Sequence, residues 1–125
     1  MVFLMPDRLQ YRNFINDYSN TMKLSQAQKK FYRTIGHELN PIVTIAGKGL
    51  TENLSAELER ALEQHELIKI KVVVGERDVR DQILTTICDD TKAVLIQRIG
   101  NIALLMRRAK KQDPKLSNLK KYQNL

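Results

Sequence analysis

Residues 67–75, Leu67-Ile68-Lys69-Ile70-Lys71-Val72-Val73-Val74-Gly75, decide the architecture. Ile68, Ile70, Val72 and Val74 fall on one side and Leu67, Lys69, Lys71 and Val73 on the other, the alternation of a sheet strand with one partly solvated face. Gly75 ends it. Immediately upstream, Thr51 can cap a helix in which Leu54, Leu58, Ala61, Leu62 and His65 share a face, with Glu52, Glu57, Glu59 and Glu63 largely elsewhere. Downstream, Val79, Ile83 and Ile87 recur every four residues, which predicts a third helix from about Asp78 with that row buried. Ala93–Ile96 and Ile102–Met106 flank Gly100-Asn101, a two-residue hairpin signal.

The same pattern extends toward the N-terminus. Ile42-Val43-Thr44-Ile45 is a short strand ending in Ala46-Gly47-Lys48-Gly49, and Asn40-Pro41 stops a helix that Ser25 starts. Leu24, Phe31, Ile35 and Leu39 form the buried side of that first helix. Lys23, Lys30, Arg33 and His37 form a basic stripe on another side. The expected order is α-β-α-β-α-β-β: one α/β domain of two layers around a four-stranded sheet.

A chain of 125 residues with 42% hydrophobic content suffices for one such core. One cysteine excludes an intramolecular disulfide and, with no Cys/His pairs, points to a reducing, cytoplasmic setting. No apolar run is long enough to span a membrane, and Met-Val-Phe-Leu-Met at the start lacks the basic flank of a secretory signal. The net charge of +7 is unevenly spread: residues 1–21 sum to zero, 22–106 carry 12 basic and 11 acidic side chains, and 107–125 carry seven basic ones against Asp113. A basic tail on a near-neutral domain is the footprint of a phosphate-rich partner, because each neutralised phosphate releases counterions. Residues 109–125 read as a mobile basic tail. Residues 1–21 read as a flexible extension, with Met22 as the expected native start.

Enzyme and cofactor motifs fail on spacing. Gly47-Lys48-Gly49 is not a nucleotide-binding P-loop: Gly49 stands where a Ser or Thr must hold magnesium, and Val43 where the first glycine belongs. His65-Glu66 begins like a zinc-protease helix, but Lys69 occupies the second histidine position. Cys88 lies on or near the buried side of the third helix and reads as a packing residue, His65 as a core-edge or capping residue, and Asp89-Asp90 as a helix end. No catalytic residue, cofactor, metal or small-molecule substrate is expected. Between a strand and a helix N-terminus, however, the Gly47-Lys48-Gly49 turn offers open amides and a cation to an anion or nucleic-acid phosphate.

Ser25-Gln26-Ala27-Gln28-Lys29-Lys30, Gly36-His37-Glu38-Leu39-Asn40-Pro41-Ile42-Val43, Gly49-Leu50-Thr51-Glu52, His65-Glu66-Leu67-Ile68-Lys69-Ile70-Lys71 and Gln97-Arg98-Ile99-Gly100 resemble, in order and spacing, the bacterial YhbY family. These are single-copy members of the CRM class, the chloroplast RNA splicing and ribosome maturation domain. The resemblance covers about 22–108. It implies a fold similar to the C-terminal domain of translation initiation factor three, a GxxG loop like that of KH domains, and association with large-subunit ribosomal RNA precursors in ribosome assembly. The family's loop falls on Ala46-Gly47-Lys48-Gly49, so its first glycine is Ala46 here, a strain if that position needs a positive φ. Met106 replaces the Tyr usual before Arg107. Lys30, Arg33, His37, Lys69, Lys71 and Arg107 match places where the family commonly carries basic residues.

Phe31 and Tyr32 are the only aromatics within 22–108, and Phe31 is assigned to the core, so recognition is expected to lean on the RNA backbone rather than on stacking. The expected RNA contacts are the 46–49 loop with Thr51 at the helix start, Lys30, Arg33 and His37 of the stripe, and Lys69, Lys71 and Arg107. The chain is expected to act as a monomer. Two other readings share these residues: a protein-interaction module of the translation machinery, and an RNA chaperone for other structured RNA.

Overall fold

Ser25 starts the first helix by a reciprocal capping box: its Oγ accepts from the Gln28 amide at 3.1 Å while its own amide donates to Gln28 Oε1 at 2.9 Å. The computed structural model describes residues 24–122, so the expectations for 1–21, Met22 and Lys23 lie outside the described residues. In chain order the elements are α1 (Gln26–Gly36), β1 (Pro41–Ala46), α2 (Glu52–His65), β2 (Leu67–Val73), α3 (Arg77–Thr91), β3 (Val94–Ile99), β4 (Ile102–Met106) and a short α4 (Asn118–Lys121). The first seven follow the order expected from the sequence. The sheet runs β1-β2-β4-β3, with β1 and β2 parallel and the other two pairs antiparallel.

Both sheet faces are covered, unequally. Val43, Ile45, Ile68, Ile70, Val72, Ala103 and Leu105 pack under Leu58, Ala61 and Leu62 of α2 and Leu84 and Ile87 of α3, forming the two expected layers. The residues alternating with these, Leu67, Leu104 and Met106, meet Tyr32 and Ile35 of α1 on the opposite face, a partial third layer beyond the two that the sequence pattern predicts. Gly36 lets α1 approach β4 closely, since a Cβ there would sit 2.7 Å from a Leu104 methyl.

Three packing expectations are corrected. Tyr32, not Phe31, is the buried aromatic of α1, at 5% exposure; Phe31 is half-buried beside it. In α3 the buried side carries Leu84, Ile87 and Thr91, while Val79 in the first turn is 43% exposed. Most consequentially, residues 107–122 do not trail into solvent. Glu66, 1% exposed, accepts hydrogen bonds from the Ala109 amide, the Gln112 side chain and the Ser117 hydroxyl. Glu63 accepts from the amides of Lys110 and Lys111, and Asn118 Nδ2 donates to the Leu67 carbonyl at 2.7 Å. His65, the residue read as a core-edge or capping group, donates from Nδ1 to the Leu116 carbonyl at 2.9 Å. The segment is basic, but its backbone amides and polar side chains find buried or half-buried acceptors at the α2–β2 junction, and that docks it.

Candidate nucleic-acid interface

Beyond the reach of α1, the sheet face that this helix partly covers is open, and the candidate residues gather there. Arg33 of α1, His37 at its C-terminal cap, Lys69 of β2 and Gln97 of β3 line a hollow of about 230 Å³ together with Ile99, Ile102 and Leu104. Lys30 continues the α1 row one turn toward the N-terminus, exposed. Lys71 is two residues along β2 on the same face, exposed and paired in register with Thr44 of β1. Apolar positions near the cations are open to solvent: Ile99 is 66% and Val73 42% exposed.

The 46–49 loop leaves the end of β1 beside Val73 and leads into α2. Ala46 is level with Val73, so the loop begins about 7 Å along the strand beyond Lys71. The Gly49 amide donates to the Ala46 carbonyl at 3.2 Å, making a tight turn in which Gly47 and Gly49 carry φ of +56° and +79°. Ala46 is the last residue of the strand and has no positive φ, so alanine is unstrained there. The glycines that the turn requires are the two that the sequence retains. Lys48 is exposed at the tip, and among the described residues its amide has no backbone partner. Thr51 is one step back: its Oγ1 accepts from the Leu54 amide at 3.2 Å and caps α2, so its part is to hold the helix N-terminus open behind the loop.

Arg107 does not belong to this surface. Its side chain is 12% exposed, pairs with Glu59 at 2.6 Å and Glu63 at 3.2 Å, and donates to the Thr91 carbonyl at 3.0 Å. It ties β4 to the ends of α2 and α3 on the other side of the sheet. The spacing of Arg107 in the sequence matched a basic position, but nothing local revealed that two α2 carboxylates converge on it. Gln97 was the opposite case. A register shift between Leu95 and Gln97 brings both Ile96 and Gln97 onto the α1 face, which simple alternation along β3 would not do.

Other candidate chemistries find no geometry. Burial, then the neighbouring Asp89, pushes the Cys88 thiol up to about 11, the behaviour of a packing residue rather than a nucleophile. Asp89 and Asp90 are exposed in the last turns of α3, and among the described residues no group of three or more His, Cys, Asp or Glu side chains could hold a metal ion. Among those residues, too, no helix is long and apolar enough to cross a membrane.

The sequence model of the CRS1 / YhbY (CRM) domain matches residues 24–107. The chain belongs to the CRS1/YhbY (CRM) domain family. Its CRM domain spans the elements from α1 through β4. A protein of Pseudomonas aeruginosa named "Probable RNA-binding protein" is 46% identical over 101 residues, covering 81% of this chain and 97% of its own length. One of Haemophilus influenzae named "RNA-binding protein" is 46% identical over 84 residues, covering 67% of this chain and 85% of its own. The solution structure of a hypothetical protein from Staphylococcus aureus, 31% identical, superposes with a TM-score of 0.62 over 70% of this chain and 92% of that one. Its fold is the α/β arrangement with a four-stranded mixed sheet described above.

Proposed function

We propose that this CRM-domain protein binds structured RNA through the open sheet face, gripping the sugar-phosphate backbone. It acts as a cytoplasmic monomer on large-subunit ribosomal RNA precursors during ribosome assembly, without catalysis. The observation that carries the reading is the convergence of Arg33, His37 and Lys69 from two elements on one hollow, continued by Lys71 to the glycine-flanked Lys48. The acidic side chains of α2 lie on the opposite side of the sheet, so this surface is electrostatically matched to phosphate. Relatives named as RNA-binding proteins point the same way.

Sedimentation of the tagged protein at its natural level through sucrose gradients, at low and moderate salt, tests it. Salt-sensitive enrichment in large-subunit precursor fractions is the expected result, abolished in the double variant Arg33→Glu, Lys69→Glu. Protein confined to free fractions at both salts refutes the ribosomal assignment.

A further inference from the structure

Residues 108–122 lie beyond the family-matched stretch, yet their docking builds a second hollow beside the first. It holds about 270 Å³ and is bounded by Asn40 at the entry to β1, Lys69 on β2, and Asn118, Lys121 and Tyr122 of the tail. Lys69 lines both hollows, so they lie side by side with that side chain between them. Tyr122 is half-buried against the α1-side core, which fixes its ring at the wall of the hollow. Lys121 beside it is exposed. Glu38 is the one carboxylate in the lining, and two lysines outnumber it.

Resting on the RNA-binding reading above, we infer that the docked tail is a wall of the RNA site, and that its hollow takes one unpaired nucleotide of the bound strand. The chemistry of the lining selects that occupant. Tyr32 is buried and Phe31 is half-buried beside it, with ring centroids 5.8 Å apart, and neither lines this hollow. Tyr122 is the aromatic that the tertiary structure delivers to the rim, so a base stacks there while Lys69 and Lys121 flank its phosphates. Asn40 and Asn118 line the same space with amide groups, although Asn118 already spends one N–H on the Leu67 carbonyl. The length of the arm is set by its anchors: Glu66 holds Ala109, Gln112 and Ser117, and Ser117 in turn caps α4 through the Lys120 amide. A tail whose only task was nonspecific attraction would need no buried carboxylate to place it.

Binding of the full chain to two labelled RNAs by fluorescence anisotropy tests this, one a hairpin with a single-stranded loop and the other the same stem as a blunt duplex. Tyr122→Ala is expected to weaken hairpin binding about tenfold and leave duplex binding unchanged. Tyr122→Phe, which keeps the stacking face, should bind as the parent does. Lys121→Glu changes an exposed side chain, so it tests the site without disturbing the packing, and should weaken hairpin binding comparably. If Tyr122→Ala and Lys121→Glu both bind the hairpin as the parent does, while Arg33→Glu with Lys69→Glu does not, the tail is no part of the site and the sheet-face reading stands. If the parent binds neither RNA, both readings fail.

Discussion

Ala46 and the two glycines that follow it show how a motif can be met by geometry rather than by identity. The turn needs left-handed backbone at Gly47 and Gly49 and not at Ala46, so Ala46→Gly should leave RNA affinity unchanged. Gly49→Ala should destabilise the fold by about 1 to 2 kcal/mol, read from the denaturant midpoint, because an L side chain at that φ crowds its own carbonyl. Lys48→Glu should weaken RNA binding with no change in that midpoint, since the side chain is exposed at the tip; an unaltered affinity would remove the loop from the interface. Arg107→Ala should do the reverse, lowering stability by about 1 kcal/mol and sparing affinity, because it removes the donor to the Thr91 carbonyl and the ion pairs to Glu59 and Glu63. Cys88 should resist thiol reagents at pH 8 until the protein unfolds, its thiolate being a small minority below a pKa of about 11.

At the scale of elements, α1 and the tail are the parts that wall the two hollows along the sheet. The hydrophobic row on α1 was legible as a helix signature, but which aromatic it buries was not. Leu24, Phe31, Ile35 and Leu39 predict one face, whereas the close approach to β4 at Gly36 brings Tyr32 into the core beside Ile35. Ser25→Ala should cost about 1 kcal/mol by removing the capping box, detectable as a lower thermal midpoint, with RNA affinity retained in the folded protein. For the tail, hydrogen exchange is the direct reading. The Ala109 amide, which donates to Glu66 at 2.6 Å, should be protected in the parent and should exchange quickly in Glu66→Ala.

At the scale of the described molecule, the unpaired candidate cations and the acidic helix fall on different sides of the sheet. The α1 side of the sheet collects Lys30, Arg33, His37, Lys69 and Lys71, and the other side carries the acidic α2. RNA affinity should therefore fall steeply with salt, and Lys69→Glu should make a plot of log affinity against log salt shallower by about one unit, the share of a single neutralised phosphate. The order of helices and strands, the hairpin at Gly100-Asn101, the glycines of the loop and the candidate cations were all set by the sequence itself, because each depends on local periodicity, caps and turn chemistry within a few residues. Only the tertiary structure decided that Arg107 is neutralised, that Gln97 lines the same hollow as Arg33 and Lys69, and that the basic tail docks as far as Tyr122. The Gln97 outcome follows from the register shift in β3, and the other two hang on partners 48, 16 and 51 positions away in sequence, as in Arg107 with Glu59, Arg107 with Thr91, and Ser117 with Glu66. No local pattern encodes such pairings; they exist only once the sheet has brought α2, β2 and the tail together.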